Sequence, residues 1–179
     1  MTADRPLNAT AASLLGFLHD RPMTGWDLVA TAQALIGDFW SLTRSQVYRE
    51  LAAMERDGLV LAGAIGVREK RPYELTDAGR AAFASWVDGE PGPESIRYPL
   101  LLTLAFGRHL SPERLATFLA HHRHTHAARL QGYEALRAGA DGTLDTYALA
   151  TLDFGIRYER GVLDWLDHLS PELRGGTPG

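Results

Sequence analysis

Apolar residues recur along this chain at helical spacing, switch for a short stretch to strand-like runs, and return to helical spacing until the end. In Asn8 to His19, Ala11, Leu14, Leu15 and Leu18 share one helical face; Asn8 is placed to cap the start and Arg21-Pro22 to close it. Thr24 caps a second helix in which Trp26, Val29, Ala30, Gln33 and Ala34 recur at threes and fours as far as Gly37, which assigns Trp26 to packing. Asp38 to Leu42 reads as a turn. Thr43 then opens a third helix with an apolar stripe of Val47, Leu51 and Met54 and an opposite face of Arg44, Ser45, Tyr48 and Arg49. Gly58 suits a left-handed C-cap.

Leu59 to Ile65 and Pro72 to Leu75 read as the two strands of a hairpin, turned at Gly66, and Pro72 argues that its strand is an edge. Thr76 caps a further helix through Phe83 and Trp86, with Asp77 favourable at its positive end. Between Asp88 and Glu94 stand two glycines and two prolines, the sharpest composition break in the chain and the predicted domain boundary.

Everything beyond it reads as helix. Tyr98 to Gly107 is a nearly uncharged run predicted to be buried, with Pro99 in its first turn. Ser111-Pro112 starts a helix to about Arg137, whose stripe is Leu115, Phe118, Leu119, Leu130, Tyr133 and Leu136 with His122 and His126 between. After a turn at Gly139 to Gly142, a last helix from Leu144 to Leu169 is apolar around nearly its whole circumference. Such a helix must be covered on most sides, more than two neighbours supply, so a second subunit is implied. Residues 171–179 read as a flexible tail.

The layout from Ser41 to Arg80 is a helix-turn-helix followed by a basic wing, which makes DNA the first candidate partner. Arg44 and Arg49 can grip phosphates or read a guanine edge, Gln46 can read adenine, and Thr43, Ser45 and Tyr48 carry hydroxyls suited to phosphates. Arg68, Lys70 and Arg71 crowd the hairpin tip, where repulsion is relieved by an anion such as a DNA backbone, with Glu69 blunting the effect. The competing reading of the helix is an ordinary solvated face pairing Arg44, Arg49 and Arg56 with Glu50, Glu55 and Asp57.

Charge restricts this picture. The net charge is −4, −3 of it in residues 1–90, so DNA binding must rest on a local patch. Of the 18 basic residues all but Lys70 are Arg, a bias that a GC-rich genome also produces. The absence of cysteine excludes disulfides, thiolate catalysis and Cys-based metal sites, and together with an N-terminus lacking signal-peptide character it points to a cytoplasmic protein. No apolar run approaches membrane-spanning length. No nucleophile elbow, phosphate-cradling loop or H-E-x-x-H occurs, so neither an enzyme nor a cofactor is expected.

Two further features invite chemistry. His122 and His126 lie at i and i+4 on one helix face, a weak pair for zinc or nickel without further ligands, and more naturally a polar layer or pH-sensitive patch. No metal site is assigned on this basis. Trp40, Trp86, Tyr98, Phe106 and Trp165 are candidates for an aromatic effector pocket, against the simpler reading of ordinary core.

Thr24-Gly25-Trp26-Asp27-Leu28, the run Ser45 to Leu51, Asp57-Gly58-Leu59-Val60 and the run Tyr73 to Arg80 together resemble the PadR family of transcriptional regulators, and the second half resembles the helical domain of its longer members. Trp26 stands where that family usually has Tyr, and Leu42 is bulkier than usual. The resemblance implies a mainly α fold with a small two-stranded β wing: a winged helix-turn-helix domain at 1–88 and a helical dimerisation and effector domain at 95–170. It implies a homodimeric, ligand-responsive regulator, usually a repressor, that binds an inverted-repeat operator through the helix at 43–57 and the wing at 66–72, and releases it to a small, often aromatic, effector. The alternatives are a winged-helix protein-interaction module and a metal-responsive regulator using His122 and His126.

Overall fold

The computed structural model describes residues 6–36, 39–64, 71–93 and 96–173. The chain divides into two compact units, with the division between residues 94 and 95. Gly37, Asp38, Ile65, Gly66, Arg68, Glu69, Lys70, Glu94 and the last six residues of the tail, all named above, lie outside the described residues.

The first unit begins with α1 (Ala9–Leu18), where the Asn8 side chain accepts from the Ala11 N–H at 2.9 Å. A two-residue strand, β1 (Met23–Thr24), leads into α2 (Gly25–Leu35). Thr24 accepts from Asp27 N–H and the Asp27 carboxylate accepts from Thr24 N–H at 3.1 Å, a reciprocal cap that satisfies the start of α2. After the turn comes α3 (Arg44–Arg56), then β2 (Val60–Ala62), β3 (Pro72–Leu75) and α4 (Asp77–Val87). Gly58 has φ +73, the left-handed value that a side chain would resist, and Leu59 N–H returns to the Met54 carbonyl at 2.8 Å. Leu14, Leu15, Leu28, Val47, Leu51, Met54, Val60 and Leu75 form the core around which the three first helices and the sheet close.

Three expectations need correction. The sheet has three strands, in the order β1-β3-β2 and antiparallel throughout, because Met23 and Thr24 pair with Tyr73 and Pro72. Pro72 therefore opens the central strand; its missing N–H is tolerated because it stands at the end of the ladder, where its carbonyl accepts from Gly63 N–H at 2.8 Å. The face of α2 is also different: Gly25, Leu28 and Ala32 are buried, whereas Trp26 is 51% exposed and Ala30, Gln33 and Ala34 face solvent. Packing against α3, α1 and β1 selects that face, and Trp26 lies one position off it.

The junction between sheet and α4 is unusually close. Thr76 caps α4 through Gly79 N–H at 3.0 Å while its hydroxyl donates to the Gly58 and Leu59 carbonyls at 2.8 and 2.9 Å. A Cβ on Gly79 would stand 2.1 Å from the Leu59 carbonyl oxygen, so only glycine permits this contact.

The second unit contains α5 (Pro99–Ala105), a 3₁₀ turn (Gly107–His109), α6 (Pro112–Ala138) and α7 (Thr146–Asp167). Ion pairs Arg123–Asp167, Arg160–Glu134 and Arg137–Asp153 climb one helix as they descend the other, so α6 and α7 run antiparallel. Leu100, Leu115, Leu119 and Leu166 form a small core. The run Tyr98 to Gly107, expected to be buried, is fully buried only at Leu100; Leu101, Leu102 and Phe106 are exposed. Along α7, Tyr147 is 83% and Phe154 60% exposed. The unit thus carries more apolar surface than its own helices cover.

Candidate nucleic-acid interface and ligand groove

In α3 the buried positions Val47, Glu50, Leu51 and Met54 anchor the helix to the core, leaving Arg44, Ser45, Tyr48, Arg49 and Ala52 in solvent. The spacing of one core stripe thereby produces one continuous polar face at the helix's N-terminal half. Thr43 caps this end, accepting from Gln46 N–H at 3.2 Å, while the Gln46 amide oxygen accepts from Thr43 N–H at 2.8 Å and its hydroxyl at 2.9 Å. That geometry alters the role expected of Gln46. A bidentate contact to adenine needs its oxygen and its nitrogen together, and the oxygen already closes the cap.

Tyr48 is held in place by a neighbouring helix. Its ring lies against Gly25, where a Cβ would be 2.6 Å from the ring carbon Cε1. Arg49 stands 3.8 Å from the Glu50 carboxylate, and Glu50, itself buried, accepts from Asn8 Nδ2 at 3.1 Å, tying α1 to α3. The solvated-face reading is met in part: Glu50 lies near Arg49, but Glu55 pairs with Arg71.

The same pairing reaches the wing. Arg71 donates through Nη2 to Glu55 Oε1 at 2.8 Å and through Nε to the Gly63 carbonyl at 3.3 Å. It ties the hairpin's base to α3 while both side chains stay partly exposed. Arg68 and Lys70 lie outside the described residues.

In the second unit the histidine pair separates into two roles. His126 is 3% and Glu159 1% exposed, and His126 Nδ1 is hydrogen-bonded to Glu159 Oε2. Tyr98 Oη lies 3.0 Å from His126 Nε2, and the Arg129 guanidinium is 4.0 Å from Glu159. Both imidazole nitrogens are thus engaged, and among the described residues no group of three His, Asp or Glu side chains is arranged to hold a metal. His122 stacks on His126 at 6.2 Å between centroids; burial first, then the neighbouring His126, His121 and Arg129, holds its pKa below the usual value. Burial and the nearby Tyr158 and Glu159 push the Tyr98 phenol up to about 12. The carboxylate that completes this cluster lies 33 residues away from His126, beyond the reach of local spacing.

Of the five aromatic candidates, Tyr98 and Trp165 line one apolar groove of about 430 Å³ in the second unit, with Leu101, Tyr158, Gly161 and Val162. Phe106 is exposed elsewhere on that unit, and Trp40 and Trp86 belong to the first. The latter three are partly exposed in this chain, so ordinary core does not describe them.

A helix-turn-helix whose second helix presents a polar face, followed directly by a hairpin, defines a winged-helix regulator. Comparison with known proteins agrees. Residues 14–85 match the family described as transcriptional regulator PadR-like, and residues 96–174 match the one described as virulence activator alpha C-term. These matches support a PadR family transcriptional regulator rather than an enzyme. The chain is 27% identical over 173 residues to the negative transcriptional regulator PadR of Bacillus subtilis, covering 88% of this chain and 93% of that one. It is 29% identical over 181 residues to a protein named as a probable transcriptional regulator of Mycobacterium tuberculosis, covering 90% and 96%. The fold matches the crystal structure of Bacillus subtilis PadR in complex with operator DNA, with a TM-score of 0.73, 22% identity and coverage of 89% and 96%. It also matches that protein in complex with p-coumaric acid, with a TM-score of 0.67, 21% identity and coverage of 96% and 98%. No described helix is long and apolar enough to cross a membrane.

Proposed function

We propose that this protein is an operator-binding repressor that works as a homodimer and responds to a small aromatic effector. The observation that carries this reading is the exposed face of α3, where Arg44, Ser45, Tyr48 and Arg49 stand together on a helix capped at Thr43 and anchored by Val47 and Leu51. In this reading residues 1–88 bind DNA, and residues 95–170 dimerise and take the effector. Arg44 and Arg49 contact phosphate or guanine, Thr43, Ser45 and Tyr48 contact phosphate, and Arg68 and Lys70 extend the contact from the wing, with Arg71 bracing it. Gln46 contributes through its cap.

The dimer is supported by apolar surface: Leu102, Phe106, Leu136, Tyr147 and Phe154 are exposed in the isolated chain. Two-fold symmetry places two α3 helices in successive major grooves about 34 Å apart and calls for an inverted repeat. Repression is supported by the named activity of the Bacillus subtilis relative, and an effector by that relative's complex with p-coumaric acid. An effector acts only through its different affinity for the DNA-compatible and incompatible arrangements of the dimer.

The test is binding to the protein's own upstream region against a scrambled duplex of equal length at near-physiological salt. Preference by about 10³ or more establishes specific recognition. Arg44→Ala and Arg49→Ala should each lower the salt slope by about one where they contact phosphate, or cost about 1–3 kcal/mol at one base where they read it. Equal binding to both duplexes, lost at moderate salt, refutes operator recognition and favours a protein-interaction module.

A further inference from the structure

We propose that Gly25 is a positioning residue for operator recognition: its bare backbone seats the Tyr48 ring and so fixes where the phenol hydroxyl stands on the exposed face of α3. The proposal rests on the reading above that Tyr48 contacts a phosphate, and deepens it by naming what aims that contact.

The backbone does not call for glycine here. Gly25 opens α2 and is not one of the glycines held at positive φ, so its conformation is open to any residue. What calls for glycine is Tyr48. The three atoms nearest to a Cβ at this position all belong to that ring: Cε1 at 2.6 Å, Cζ at 2.8 Å and the hydroxyl oxygen at 3.1 Å.

Two details separate this seat from ordinary core packing. The atoms met are the far end of the side chain, the end that carries the hydroxyl. Tyr48 is also 46% exposed, so its ring has solvent to swing into, whereas at Gly79 the obstacle is a backbone carbonyl. A methyl group at position 25 is therefore relieved by movement of Tyr48, with the core left in place. Gly25 is buried beneath a side chain that is itself half in water.

The wall behind the ring is firm. Met23 and Thr24, just before Gly25, pair with Tyr73 and Pro72 of β3, and the reciprocal cap between Thr24 and Asp27 fixes the first turn of α2. Arg71, just before β3, is tied to Glu55 of α3. The sheet thus registers the base of the hairpin against α3 directly, and the phenol through β1 and Gly25.

The displacement matters because a hydrogen bond is short. Carbon atoms pack at about 3.5–4.0 Å, so a methyl at position 25 moves the ring by about 1 Å. A hydroxyl bonds a phosphate oxygen at about 2.7 Å, and the bond is lost about 1 Å beyond that. A ring without its seat must also be ordered at the moment of binding, at a cost in affinity.

The test is a double-mutant cycle on the full-length protein, read as affinity for its own upstream region and for a scrambled duplex at several salt concentrations. Tyr48→Ala and Gly25→Ala should each weaken binding by about 10-fold or more. The double variant should bind as Tyr48→Ala does, because without the ring the methyl displaces nothing. The loss should be alike on both duplexes and leave the salt slope unchanged, since a neutral hydroxyl on a phosphate reads no base and releases no counterion. The urea midpoint of Gly25→Ala should stay close to the parent's. Gly25→Ala binding as the parent does, losses that add in the double variant, a lowered salt slope, or a urea midpoint lowered as far as in Gly79→Ala overturns the proposal. Tyr48→Ala binding as the parent does refutes the phosphate contact on which the proposal rests. Absence of any preference for the upstream region by the parent refutes the operator reading itself, and the proposal with it.

Discussion

Replacing Gly79 by alanine and replacing Gly132 by alanine are the same chemical change inside two helices, and the structure assigns them opposite signs. At Gly79 the new Cβ would stand 2.1 Å from the Leu59 carbonyl oxygen and 2.8 Å from Leu75 Cδ1. Carbon and carbonyl oxygen approach to about 3.3 Å, so α4 must retreat by about 1 Å. Such a retreat breaks the two hydrogen bonds from the Thr76 hydroxyl to the Gly58 and Leu59 carbonyls and strains that from Thr76 N–H to Leu59, now 3.2 Å. Overpacking costs about 1–3 kcal/mol and each lost bond about 1 kcal/mol, against a gain of about 0.5–1 kcal/mol for replacing glycine in a helix. The net is a loss of about 2–4 kcal/mol, a large share of a typical domain's stability of about 5–15 kcal/mol. At Gly132, exposed inside α6, a Cβ meets nothing within 4 Å, so alanine should stabilise by about 0.5–1 kcal/mol. Urea denaturation at one protein concentration reads both: tryptophan emission, from Trp26, Trp40, Trp86 and Trp165, follows tertiary structure and far-ultraviolet dichroism follows the helices as a whole. A Gly79→Ala protein within about 0.5 kcal/mol of the parent, or a Gly132→Ala protein destabilised as much as Gly79→Ala, would refute the argument from close approach.

Other substitutions test the remaining contacts. Thr43→Ala removes the α3 cap and should cost about 1 kcal/mol, read as a lower urea midpoint with unchanged slope. Glu159→Ala leaves the buried His126 Nδ1 without its hydrogen-bond partner and should cost about 1–3 kcal/mol, seen as the early melting of the second unit in calorimetry. Because His122 is held below its usual pKa, the unfolded chain takes up its proton first as pH falls through about 6.5. Stability is therefore unaffected by this group above that pH and is lost as pH falls toward the folded value; His122→Gln should flatten that limb in melts recorded between about pH 7 and pH 5. Arg123→Ala breaks a bidentate but exposed pair with Asp167, and should leave the melting temperature nearly unchanged, the small difference vanishing at high salt.

The sequence by itself determined the features whose causes are local. Asn8, Thr24, Thr76 and Ser111 are each read as caps because an oxygen two or three residues ahead of an orphan N–H satisfies it regardless of what lies beyond, and all four accept such a bond. Gly58 was legible for the same reason, and so was the polar face of α3, since Val47, Leu51 and Met54 fix by period which residues remain outside. Only the tertiary structure decided the rest. A two-residue strand at Met23 has no period to read and exists because Tyr73 is there to pair with it. The face of α2, the exposure of Trp26, the bracing of Arg71 by Glu55 across 16 residues and the meeting of His126 with Glu159 across 33 all depend on which distant segment arrives alongside. Gly79 and Gly161 look alike in the sequence; one permits a backbone contact and the other leaves a groove open, because a glycine's role is set by what its missing side chain would have met.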